Sequence, residues 1–163
     1  MTIILEILTA VLALLLPQQT VEHLRATAPS YLTEGQAREH LAAATVAGMA
    51  EGESPAVLLA IAWHESRYTP GVVTVEPGNR VSCGVMTPEP LSHCEALSLL
   101  GQYRAGAAHL ASWRRVVGSY ALLGYAGLVG ACQRGPYLRN DKDLCLFQSE
   151  MLRRAAWIAG ANS

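Results

Sequence analysis

Apolar side chains recur at three-to-four-residue spacing along most of this chain, and that rhythm predicts a succession of helices interrupted once. Thr33 and Gln36 have the form of a capping box, and Ala37, Leu41, Ala44, Thr45 and Gly48 follow at helical intervals, which predicts a small-residue helix to about Ala50. Ser54 before Pro55 repeats the start signal, because proline in a first helical turn lacks only an N–H that would have no partner there. A second helix is therefore expected from Pro55 to about Ser66. Between Tyr68 and Leu91 the rhythm changes: "VVTV", the turn-like "EPGN" and "RVSCGV" predict a small β-hairpin. Ser92 with Glu95 has the capping-box form again, and Leu97, Leu100, Arg104, Ala107 and Ala111 predict a long helix after it. A short helix over Ser119–Tyr125, a loop "GLVGACQRGPYLRN" and a last helix from Asp141 to about Ala159 complete the expected order.

With 163 residues, 51% of them hydrophobic, the chain can bury one substantial core, so one compact domain is expected. The net charge is −1 and the basic residues form no long stripe, which argues against gripping nucleic acid as the main activity. At the N-terminus, Ile7 to Leu16 has the length of a signal-peptide core and is short for a membrane span, yet no Lys or Arg precedes it and Glu6 interrupts it. Residues 1–28 are read as a signal peptide, an anchor or a helix packed on the domain, with the domain itself at 29–163. Membrane contact is expected only through that segment. The four cysteines, Cys83, Cys94, Cys132 and Cys145, lack the close pairs of a structural zinc site. Disulfides Cys83–Cys94 and Cys132–Cys145 are the preferred pairing of three, with buried thiols as the alternative, and they imply an exported protein.

Attention falls on "AIAWHESRY", Ala60 to Tyr68. On a helix from Pro55, residues Leu58, Ile61, Ala62 and Glu65 share one face, so the apolar stripe ends in a carboxylate. A carboxyl group set against apolar surface loses hydration of its charged form and so holds a proton nearer neutrality, as a general acid must. The competing reading is an ordinary ion pair with Arg67 at the helix end. His64 is turned about 100° from Glu65, and "HESRY" has Tyr68 where a zinc-binding HExxH would place its second histidine, so no metal site is expected. Cys83 with His93 could form a thiol nucleophile and base, but a structural cysteine is the stronger reading.

Three segments in this order, "AIAWHESRYTP", "SCGVMTPEP" and "YALLGYAG", resemble the catalytic domain of the soluble lytic transglycosylases and their goose-type lysozyme relatives. The resemblance covers roughly Pro55 to Gly127 and rests on Glu65-Ser66, on Gly84-Val85-Met86-Thr87 and on Gly124-Tyr125-Ala126-Gly127. Thr87 stands where that family usually has glutamine, and Gly124-Tyr125 replaces its Tyr-Asn. The implied fold is mainly α, an α+β lysozyme-like domain with a small β-hairpin beside the active-site cleft.

The resemblance implies that Glu65 is the single catalytic acid and base on peptidoglycan glycan strands, breaking the bond between N-acetylmuramic acid and N-acetylglucosamine and leaving an anhydro sugar. It also implies substrate contacts from Ser66, Gly84, Met86, Thr87 and Tyr125, for each of which a structural role is the alternative. Most glycosidases use two carboxylates, but Glu76 adjoins a turn and Glu95 completes a cap, so neither they nor Glu89 is expected to serve as the second. No cofactor is expected, since neither phosphate loops nor clustered ligands occur. A hydrolytic goose-type lysozyme and a glycan-binding scaffold without turnover remain alternatives. Oligomeric state and host system, whether phage, secretion apparatus or wall remodelling, are left open.

Overall fold

Described residues are 2–27, 32–76, 80–88, 97–125 and 141–160 of the chain, in a computed structural model. In order they form α1 (Thr2–Leu15), α2 (Gln18–Thr27), α3 (Glu34–Glu51), α4 (Pro55–Ser66), β1 (Val73–Glu76), β2 (Arg80–Cys83), α5 (Leu99–Val117), α6 (Ala121–Tyr125) and α7 (Asp141–Ile158). A 3-10 turn, Gly118–Tyr120, leads into α6. The protein is mainly helical with one small antiparallel sheet, in which Val73 faces Cys83 and Glu76 faces Arg80.

The start signals act where the sequence places them, with two differences. Thr33 caps α3 as a complete capping box with Gln36, and Gly52 ends that helix in the left-handed conformation at φ 71°. Ser54 holds the cap position of α4 in extended backbone, but its hydroxyl makes no capping bond. The long helix starts at Leu99, where Ser98 accepts from the Gly101 amide; Ser92 and Glu95, the expected cap, lie outside the described residues.

α4 is the axis of the core. Leu58, Leu59, Ala60, Ile61 and Ala62 are all 0% exposed, enclosed by α3 on one side and α7 on another, with α5 closing over part of it. This corrects the expected amphipathic stripe: through its middle the helix is buried on every side, and Glu65 is half-buried because it lies where α4 leaves the core. α3 can pack so closely because its contact face is built of alanines, Ala37, Ala43, Ala44 and Ala47. At the far end of α4 the buried Glu53 carboxylate takes a bidentate bond from Arg114 at 2.7 and 2.6 Å, which ties the α3–α4 turn to the end of α5 and satisfies the one charge that turn buries.

α1 lies on α3 through Leu12 and Leu16, while Ile3, Ile4, Ile7, Leu8, Val11, Leu14 and Leu15 are exposed. Arg38 of α3 closes the elbow into α2 by donating to the carbonyls of Ala13 and Leu16 at 3.3 and 3.2 Å, a cation on the negative end of a helix. Among the described residues no single helix is long and apolar enough to cross a membrane.

One buried polar network joins three helices beneath the end of α4. His40 of α3 bonds to backbone of Tyr68, so its ring must donate there, which leaves Nδ1 to accept from the Tyr103 hydroxyl of α5 at 2.9 Å. Tyr68 OH lies 3.4 Å from Thr27 Oγ1 of α2. Burial lowers the His40 pKa to about 4, against which the Tyr68 bond pulls weakly upward, and burial pushes the Tyr68 phenol up to about 12.

Two outcomes follow from this packing. The unfolded chain protonates His40 near pH 6.5 and the folded chain only near 4, so the stability held by the neutral ring is complete above 6.5 and drains as pH falls toward 4. The loss is about 3 kcal/mol, read as a falling denaturant midpoint between pH 7.5 and 4; an NMR titration placing the His40 pKa at or above 6 would refute it. Second, a Cβ on Gly106 would stand 2.5 Å from Met86 Sδ and 2.7 Å from its Cβ. Gly106→Ala is therefore expected to destabilise by about 1–3 kcal/mol, seen as a melting temperature several degrees lower.

Candidate active site at the end of helix α4

The last turn of α4 sends each side chain to a different neighbour. Glu65 reaches the segment after β2, where Thr87 Oγ1 donates to its Oε2 at 2.7 Å. Ser66, buried, lies 2.7 Å from the Val85 carbonyl and 3.0 Å from the Ala62 carbonyl, so its one proton pins the helix end to that same segment. The chain then turns sharply: Arg67 and Tyr68 both adopt left-handed backbone, at φ 53° and 62°. Such conformations in residues other than glycine cost of order 1–3 kcal/mol each and persist where surrounding contacts enforce them. Here the Arg67 amide bonds to Trp63 O and the Tyr68 amide to Ala62 O, while the Tyr68 ring sits against His40.

Opposite Glu65, residues Gly84 to Thr87 form a turn in which the Thr87 amide bonds to Gly84 O at 3.3 Å. Gly84 has φ 98°, and its amide bonds to Val72 O, which attaches the turn to the chain entering β1. A Cβ there would also meet Gln102 Oε1 at 3.3 Å. Gln102 of α5, buried, accepts from the amides of Gly71 and Val85 and donates to Leu97 O, so one side chain clasps both sides of the hairpin. Met86 is wholly buried against Gly106.

Tyr125, at the end of α6, donates to the Met86 carbonyl at 2.5 Å. Its phenol is held well above the ordinary value by burial first and by the charge of Glu65 second, which places the two groups in one electrostatic neighbourhood. His109 of α5 meets the Tyr125 ring edge-on at 5.0 Å and accepts from Trp113 Nε1 at 3.2 Å.

The sequence-singled residues thus gather: Glu65, Ser66, Gly84, Met86, Thr87 and Tyr125 share one locus. Within it Glu65 and Thr87 form a polar pair, Ser66 and Gly84 hold the backbone, and Met86 fills the floor. Glu76 closes the hairpin at the end of β1. Glu89, His93, Cys94, Glu95 and Cys132 lie outside the described residues, as does the side chain of Cys145. Cys83 is disulfide-bonded. Among the described residues no three His, Cys, Asp or Glu side chains are placed to hold a metal ion.

Gln102, His40 and Tyr103 were not legible as site supports, since nothing in a helical repeat marks a polar residue whose partners lie on a hairpin far away in sequence. Comparison with protein-family models, with curated proteins and with solved structures gave no match.

Gln102→Leu keeps the volume and strands the Gly71 and Val85 amides without their acceptor. Val85 is buried and an unsatisfied buried group costs about 1–3 kcal/mol, so this variant is expected to melt below the wild type, with amide exchange at Gly71 and Val85 accelerated most. Unchanged exchange at both amides would show that the clasp is not what holds the turn.

Proposed function

We propose that this protein is a peptidoglycan-cleaving lytic transglycosylase in which Glu65 acts first as acid and then as base. The observation that supports it is the placement of Glu65: a half-buried carboxyl at the end of a core helix, oriented by Thr87 on the glycine-containing turn that the resemblance pairs with it. Glu65 protonates the oxygen leaving from N-acetylmuramic acid as the glycosidic bond breaks. The carboxylate so formed takes the proton of the muramoyl 6-hydroxyl, whose oxygen closes on the anomeric carbon. One carboxyl group serves both steps, and the product is a 1,6-anhydro end without a water nucleophile.

Thr87 donates to Glu65, Tyr125 holds the Met86 carbonyl on the same turn, and the Ser66 bond to Val85 ties helix end to turn. The Cys83 disulfide is in keeping with an exported protein acting outside the reducing cytosol. A glycan-binding module without turnover is the second reading, favoured by Thr87, which already commits its hydroxyl to Glu65 where the family's glutamine would reach further.

Glu65→Gln keeps shape and the acceptor for Thr87 but removes the transferable proton. Muropeptide release from purified sacculi is expected to fall by about a hundredfold or more, with folding retained. Mass analysis of wild-type products is expected to show anhydro ends; reducing ends would assign hydrolysis, and no release at all would assign the binding module. Release by Glu65→Gln at the wild-type rate would remove Glu65 from the mechanism.

A further inference from the structure

On the other side of α4 the seam with α7 opens into a cavity of about 620 Å³ lined by Trp63, His64, Arg67, Glu150, Arg153, Arg154 and Trp157. Residues two apart on a helix are turned about 200° from one another, so Trp63 and Glu65 leave α4 in nearly opposite directions. On α7 the lining residues Glu150, Arg153, Arg154 and Trp157 have the i, i+3, i+4, i+7 spacing of a single face. The adjoining face, Met151, Ala155 and Ile158, is buried in the core.

Trp63 carries two guanidinium groups, Arg67 at 3.7 Å and Arg154 at 3.3 Å from the ring centroid. Two groups that close cannot share one face of the ring without overlapping, so they sandwich it, with their charges about 7 Å apart. Among the described residues the lining holds three guanidinium groups and a single carboxylate, Glu150. His64 adds no charge near neutrality, because burial and the nearby Arg67 and Arg154 hold its pKa below the ordinary value. Among the described residues two positive charges are therefore left over in a partly buried space.

Trp63 Nε1 and Arg154 Nε are both buried and have no hydrogen-bond partner among the described residues. A tryptophan sandwiched by arginines is adequate as a strut between two helices, but a strut does not explain the surplus charge. An oxyanion in the cavity explains it, since guanidinium planes match carboxylate and phosphate oxygens in pairs. Trp157, 47% exposed at the rim, offers an apolar surface to whatever carries that anion.

We propose that this cavity is a binding site for a dianionic oxyanion group, a phosphate monoester or a dicarboxylate, held by Arg67, Arg153 and Arg154, with the ligand's apolar part against Trp157. It is separate from the Glu65 locus and does not depend on what Glu65 does.

The three tryptophans of the chain, Trp63, Trp113 and Trp157, give the test its readout. Indole N–H resonances of ¹⁵N-labelled full-length protein are followed at pH 7.5 during titration with inorganic phosphate and, separately, with glutarate, against sodium chloride at matched ionic strength. Saturable shifts of the Trp63 and Trp157 signals, with Trp113 unmoved, are expected for at least one dianion. The tighter of phosphate and glutarate assigns the natural group as phosphoryl or carboxylate. Arg154→Gln is expected to weaken binding by at least about tenfold, one lost charged hydrogen bond's worth. Arg153→Gln, exposed and outside the Trp63 stack, is expected to weaken it in a protein whose melting temperature is unchanged. Glu65→Gln is expected to bind like the wild type, so failure here and failure of the transglycosylase reading are distinguishable. Shifts that sodium chloride reproduces, shifts shared equally by Trp113, or affinity unchanged in both arginine variants would each overturn the proposal.

Discussion

Five consecutive side chains of α4, Leu58 to Ala62, are shut off from solvent, and that burial decides where polar chemistry in this protein can stand. An ionised or hydrogen-bonding group in that stretch would lose water with nothing in an alanine-lined, leucine-filled interior to replace it. The first positions free of the constraint are in the last turn, Trp63 to Arg67. Because they leave the core at successive 100° steps, they distribute themselves around the helix axis: Glu65 toward the 84–87 turn, Ser66 onto the Val85 carbonyl, and Trp63, His64 and Arg67 toward α7.

That distribution needs the chain to stop being helical immediately afterward. Two left-handed residues in succession, Arg67 and Tyr68, do this without a glycine at either position. The strain is held by contacts that run in three directions: Arg67 Nη1 bonds back to the Trp63 and His64 carbonyls, the Tyr68 amide reaches Ala62 O, and the Tyr68 ring is fixed by His40 and Thr27. A chain that continued the helix by one more turn would carry the hairpin away from Glu65. The buried network around His40 is therefore connected to the candidate site mechanically, through the residue that redirects the backbone.

What the sequence made legible were features whose causes are local. A capping box at Thr33, a proline in the first turn of α4 and a two-run β pattern around "EPGN" each act over a few residues, and each element lies where those signals put it. The gathering of Glu65, Ser66, Gly84, Met86, Thr87 and Tyr125 was legible only through the resemblance, because it depends on long-range contacts. The reason first given for Glu65, a shared apolar stripe, is not the operative one: Leu59 and Ala60 are as buried as Leu58 and Ile61, so no stripe distinguishes a face. Gln102 and the Arg67–Trp63–Arg154 stack left no trace in periodicity, since a helix of mixed polarity looks the same whether its polar face meets water, a hairpin or another helix.

The helix itself gives an independent reason to look for function at Glu65. A carboxylate in the last turn faces the negative end of the helix dipole, a placement worth roughly 0.3–1 kcal/mol in the wrong direction, whereas the arginines gathered at the same end have the favourable sign. Its bond from a threonine hydroxyl offsets part of that penalty, yet glutamine would accept the same bond without opposing the dipole. The dipole thus disfavours the charged form at position 65, where the side chain is only half-buried. A carboxyl group differs from the amide in its charge and in holding a proton it can give and take back, and the second is the property the proposed mechanism uses.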